Sequence, residues 1–180
     1  KIARLDKSAF YTHYRNTFRE DAEREGNIQI VVWDHGWFWF IPFRGDVTSV
    51  GAVASAEWIR EQRKTGAKEP VDFFERAVAD SSWATEFLVG AERLRPVGSL
   101  ADFSYRIDQL TGDGWLFVGD AAGFLDPLFS SGAHLAIKSA DLAAAAIDEA
   151  LSRGDTSRPA FVEYEKAVRY AVDLFLGVVQ

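Results

Sequence analysis

A chain of 180 residues with 48% hydrophobic, 14% aromatic and 26% charged side chains is too apolar for disorder and long enough to bury a real core. It has no cysteine and three histidines, which excludes a disulfide framework, thiolate metal sites and a cysteine nucleophile, makes a metal centre unexpected, and fits a cytoplasmic location. The balance of 20 basic against 27 acidic residues argues against a nucleic-acid partner, no run of about 18 apolar residues reads as a membrane span, and Lys1–Leu5 is not expected to open a signal peptide.

In chain order, aromatic and β-branched residues between short turn signals predict strands at Ala9–Tyr14, Ile28–Trp33, Trp37–Ile41 and Val47–Ala54. Asp34-His35-Gly36 and Arg44-Gly45-Asp46 are the turns, so an antiparallel meander is expected. From Glu57 the period becomes helical. Trp58–Lys64 reads as a short helix ended by Gly66, and Pro70 opens a second with Phe73, Phe74, Ala77 and Val78 on one face. A third spans Trp83–Val89 before Gly90.

Ala101–Ile107 alternates like a strand. The apolar run Trp115-Leu116-Phe117-Val118-Gly119 suits a strand buried on both faces, as in a parallel sheet. A long Ala-rich helix is expected from Gly132 to about Leu151, with Leu135, Ser139, Leu142, Ala146 and Ala150 as one stripe and Gly154 after it. A last helix covers Pro159–Leu176, with Phe161, Tyr164, Val168, Val172 and Phe175 on one side.

Two segments carry chemistry. Gly119-Asp120-Ala121-Ala122-Gly123-Phe124-Leu125-Asp126-Pro127 and the following Leu128 to Gly132 join the apolar run to a helix start. Glycines there permit close backbone approach, and unpaired N–H groups favour an anion or an electron-rich ligand edge. The plainer reading is a turn capped by Asp120, a loop stiffened by Pro127 and a helix capped by Ser130 or Ser131. The second segment is Trp37-Phe38-Trp39-Phe40-Ile41-Pro42. Strand alternation puts Trp37, Trp39 and Ile41 on one face and the two phenylalanines on the other. The result is either a sheet covered on both sides or an aromatic wall for a planar ligand.

Together these segments resemble the flavin-dependent halogenases and their relatives among FAD-dependent monooxygenases. Trp37, Trp39, Ile41 and Pro42 match a Trp-x-Trp-x-Ile-Pro pattern, and Gly119 to Pro127 match a Gly-Asp-Ala-Ala-Gly-Phe-x-Asp-Pro segment. Gly36, Ser49-Val50-Gly51 and Ser130-Ser131-Gly132-Ala133 extend the similarity. The resemblance implies an α+β fold: an antiparallel sheet with covering helices on the substrate side (1–100), then the closing strand and helices of an FAD-binding α/β domain (101–180), whose N-terminal nucleotide-binding half is absent. No Gly-x-Gly-x-x-Gly occurs, the nearest pair being Gly112 and Gly114. The isolated chain is therefore expected to be inactive.

The resemblance also implies roles. FAD would be bound through Gly119, Asp120, Ala121, Pro127, Gly132 and Ala133, with Asp120 on the ribityl chain. Chloride or bromide would sit at Ser131 and Gly132, and Trp37, Trp39, Ile41 and Pro42 would wall the active site. A flavin hydroperoxide, formed from O₂ and reduced FAD supplied by a separate flavin reductase, would convert halide to hypohalous acid. The product would be a halogenated aromatic, free or carrier-tethered. The family's catalytic lysine is not among the six lysines of this chain. Phe129 stands where tryptophan-specific members carry a glutamate, which favours a phenol or pyrrole substrate. The alternatives are an FAD-dependent monooxygenase, a geranylgeranyl-reductase-like oxidoreductase, or a non-catalytic domain of the same fold.

Overall fold

The computed structural model describes residues 6–179, with side chains to 177. They divide into two compact units, 6–102 and 103–180.

The first unit is a six-stranded sheet with three helices. Its strands are β1 (Lys7–Arg15), β2 (Gln29–Trp33), β3 (Gly36–Pro42), β4 (Val47–Ser55), β5 (Glu92–Arg93) and β6 (Gly98–Ala101). The order is β2-β3-β4-β1-β5, with β6 also on β1, and every pairing is antiparallel. The expected meander therefore holds for β2, β3 and β4 only. β1 pairs with β4 from Lys7↔Ser55 to Arg15↔Val47, so the first strand lies beside the last of the meander and not beside the next in sequence. β2 is an edge strand, and Val32 on it is 72% exposed.

Helices α1 (Ala56–Lys64), α2 (Pro70–Ala79) and α3 (Ser82–Phe87) follow β4. Ser55 starts α1 by accepting the Trp58 N–H at 3.3 Å, and Pro70 lies at the first position of α2, where its missing N–H is harmless. The helices cover one face of the sheet. Phe10, Tyr14, Phe38, Phe40, Val50 and Ala52 pack with Phe73, Phe74, Ala77 and Phe87 in one core. Phe10 stacks on Phe73 at 5.0 Å and Phe40 meets Phe87 edge-on at 5.2 Å. α3 is shorter than the expected Trp83–Val89, closing at Leu88 before Gly90 at φ +73.

The expected strand Ala101–Ile107 is broken. β6 ends at Ala101, Asp102 takes a left-handed φ of 54°, and β7 (Tyr105–Arg106) belongs to the second unit. An aspartate tolerates that conformation better than most side chains.

The second unit holds β7, β8 (Thr111–Gly112), β9 (Trp115–Leu116), β10 (Gly123–Phe124), α4 (Gly132–Arg153) and α5 (Val162–Val179). β10 pairs with β7 and β8 with β9, both antiparallel. The run Trp115–Gly119 is thus not a buried parallel strand among the described residues. Only Trp115 and Leu116 pair, and Trp115, Phe117 and Val118 are exposed. The last expected helix is a 3-10 turn (Arg158–Phe161) continued by α5. Leu110, Ala122, Ala143, Tyr164 and Val168 form this unit's core. Among the described residues no helix is long and apolar enough to cross a membrane, and no acid–histidine cluster could hold a metal.

Candidate functional site

In the first unit, Trp37 and Trp39 lie on the sheet face opposite the helices, their rings 5.9 Å apart. The packing under them explains the surrounding sequence. Gly51 is opposite Trp39, and a Cβ there would come within 2.2 Å of the indole, so the ring lies flat against bare backbone. Ser49 accepts the Trp39 Nε1–H at 3.1 Å and fixes the ring's direction. Gly36 is excluded from bearing a side chain too, because its Cβ would overlap the Val53 carbonyl oxygen at 1.8 Å. Trp37 is 4% exposed and its buried Nε1–H has no partner among the described residues, so only one of the two indole donors is satisfied. Ile41 and Pro42 continue the strand, both partly buried.

In the second unit, the loop between β9 and α4 encloses a cavity of about 230 Å³. Gly119, Asp120, Pro127, Ser131, Gly132 and Ala133 all line it, as does Asp126. Ala121 does not; it is exposed on the 3-10 turn Gly119–Ala121. That turn begins at Gly119 with φ +55, where a Cβ would also press on Ala136 at 3.2 Å. Its backbone closes on itself, Ala121 N–H to the Val118 carbonyl at 3.2 Å and Ala122 N–H to the Gly119 carbonyl at 2.9 Å.

The other wall is built by a second 3-10 turn, Pro127–Phe129. Asp126, 1% exposed, starts it by accepting the Leu128 N–H at 3.0 Å. Ser130 then turns left-handed at φ 51, and α4 begins. Intrahelical bonding starts with Leu135 N–H to the Ser131 carbonyl at 3.0 Å. The N–H groups before it are the donors that every helix start presents. Ser131 is 6% exposed yet makes no capping bond with its hydroxyl, so the plainer reading of it as the helix cap does not hold.

The cavity therefore offers an exposed carboxylate at Asp120 on one side and backbone donors at the positive end of a 22-residue helix on the other. Such a pair suits a ligand with hydroxyls at one end and an electron-rich edge or anion at the other. Its volume lies below the range of about 300–1,000 Å³ usual for a whole drug-sized ligand, so it has room for only a portion of a larger molecule.

Sequence reasoning missed two side chains. Tyr105 donates its hydroxyl to the Asp120 carbonyl at 2.7 Å, and Ser139, 5% exposed, accepts the Gly119 N–H at 2.9 Å. Ser139 stood in the predicted stripe of α4, and its polarity among alanines was the available clue. Lys138 does not line the cavity; it is exposed and paired with Asp141 at 2.9 Å.

Comparison with known proteins shows the chain's relatives. The tryptophan halogenase family profile matches residues 20–180. A 1H-pyrrole-2-carbonyl-(peptidyl-carrier protein) chlorinase from Pseudomonas fluorescens is 36% identical over 175 residues, which is 93% of this chain and 38% of that protein. The corresponding brominase from Pseudoalteromonas luteoviolacea is 35% identical over 153 residues, covering 84% of this chain and 37% of its own length. Among solved structures, the myxobacterial chondrochloren halogenase CndH superposes with a TM-score of 0.82 at 34% identity, over 97% of this chain and 40% of that one. The chain thus spans about two fifths of the length of these three relatives.

Proposed function

The chain belongs to the flavin-dependent halogenase family, and we propose on that premise that it forms part of an FAD-dependent halogenase acting on an electron-rich aromatic, a pyrrole or phenol. The observation that carries the reading is the single cavity that gathers Asp120 and the start of α4. Its size and donor set fit one part of FAD, the ribityl chain and the adjoining ring edge, and not the whole dinucleotide. The open space over Gly132 leaves backbone bare where a flat ring must approach.

Bound and reduced, FAD supplies with O₂ the two-electron oxidation that turns chloride or bromide into hypohalous acid. This chain's residues position and exclude. Asp120 would accept hydrogen bonds from ribityl hydroxyls, and the backbone from Pro127 to Ala133 would hold the ring portion of the cofactor. The N–H groups at Ser131 and Gly132 hold the halide, helped by the helix dipole. Trp37, Trp39, Ile41 and Pro42 form an apolar wall that keeps the substrate dry. A separate flavin reductase supplies reduced FAD.

Two relatives are named for a pyrrole carried on a peptidyl-carrier protein, which supports a carrier-tethered substrate. Phe129, 57% exposed in the cavity's second turn, agrees with that preference because it offers no carboxylate. The absence of cysteine suits the reducing cytoplasm as the setting.

The test is turnover of full-length protein with FAD, a flavin reductase, NADH and a pyrrole thioester or phenol, with and without bromide. The expected product has one aromatic hydrogen replaced by bromine and forms only with bromide. An oxygenated product formed equally without halide would overturn the reading in favour of a monooxygenase.

A further inference from the structure

We infer that Tyr105 and Ser139 are positioning residues: they clamp the backbone around Asp120, at the Val118–Gly119 peptide ahead of it and the Asp120–Ala121 peptide after it, and so aim its carboxylate into the cavity. The inference rests on the flavin reading above and adds two residues to it.

The geometry is specific. The Val118–Gly119 peptide, one residue ahead of Asp120, is held at the Gly119 N–H, which donates to Ser139 Oγ at 2.9 Å. The same hydroxyl donates to the Ala136 carbonyl at 3.0 Å, so its proton is committed and its lone pair faces Gly119. The peptide after Asp120 is held at its carbonyl, which accepts the Tyr105 hydroxyl at 2.7 Å. One tie comes from α4 and the other from β7, and β7 is itself fastened by Phe124↔Tyr105 pairing with β10. Within the turn, Ala121 N–H donates to the Val118 carbonyl and Ala122 N–H to the Gly119 carbonyl. Among the described residues the Asp120 carboxylate is left without a hydrogen bond or ion pair, at the rim of the cavity.

A turn needed only to reverse the chain does not need this. Ser139 lies on a face otherwise made of Leu and Ala, where alanine would pack as well and favour the helix slightly more. A buried hydroxyl is retained there because it holds Gly119. The arrangement uses two side chains to immobilise the backbone that carries the Asp120 carboxylate, which is how a first contact to a ligand is kept from swinging with its loop.

The experiment is FAD titration of full-length apoprotein, read by quenching of flavin fluorescence, for Tyr105→Phe, Ser139→Ala and Asp120→Ala alone and in pairs. Tyr105→Phe and Ser139→Ala are each expected to weaken FAD binding about three- to tenfold, the worth of one hydrogen bond. Both effects are expected to vanish in the Asp120→Ala background, since they act through that carboxylate. Weakening by Asp120→Ala with no effect of the other two would overturn the clamp and leave the flavin reading intact. Equal effects with and without Asp120 would reduce both residues to fold support and overturn it as well. No effect of Asp120→Ala would overturn the flavin reading and the clamp with it. Tyr105 is partly exposed, so its variant remains informative if Ser139→Ala does not fold.

Discussion

Gly51 shows how one residue without a side chain fixes the attitude of another. Trp39 lies over it and is tied to Ser49, so a methyl group at 51 must tilt the indole off the sheet. Gly51→Ala is expected to cost about 1–3 kcal/mol in denaturant unfolding and to shift tryptophan emission, because the ring gains water as it lifts. An unchanged midpoint and spectrum would show that the ring relaxes without cost. The two faces of Trp37–Ile41 were legible in the sequence, since strand alternation is a local rule. The ties to Asp120 were not. Ser139 is 20 residues from Gly119 and Tyr105 is 15 from Asp120, and no local pattern states which distant hydroxyl reaches which peptide.

At the scale of elements, α5 is fastened to β8 by Glu165. Its carboxylate bonds Arg169 at 2.7 Å and accepts the Thr111 hydroxyl at 2.9 Å, with Arg158 at 3.9 Å. Arg169 above all, then Thr111 and the Arg158 charge, hold the carboxyl below its usual range despite partial burial. A lowered folded value means the stabilisation is complete above the unfolded carboxylate value, about 4.3, and is lost as pH falls through the folded value. Wild type is therefore expected to exceed Glu165→Gln by about 1 kcal/mol at pH 7, with the gap closing below about pH 4.5. Thermal melts of both proteins from pH 3 to 8 check this; a gap independent of pH would deny the ionised carboxylate its role. The elements themselves were largely foreseeable, because β2 to β4 and the helices obey local periodicity. The misreadings share a cause. The partner of β1 and the fate of Trp115–Gly119 depend on which strands lie alongside, and Asp102 breaks an alternating run through a backbone angle that its side chain permits but does not announce.

For the molecule as a whole, two cores of different make-up matter. Residues 6–102 pack around aromatic rings and 103–180 around small aliphatics and Tyr164. Phe74, fully buried between sheet and helices, leaves a large void if truncated. Phe74→Ala is expected to cost about 3–5 kcal/mol, seen as faster amide exchange along the β1–β4 ladder; protection there equal to wild type would place the core's anchor elsewhere. The edge strand has a further consequence. Among the described residues β2 leaves one ladder of backbone groups unpaired beside Ile30 and the exposed Val32. Charged gatekeepers are missing from the stretch Gln29–Trp33, so nothing on that margin discourages a second sheet from joining it. In a concentrated sample, self-association would begin at β2, and the conditions that keep the protein monodisperse are those that keep this one strand to itself.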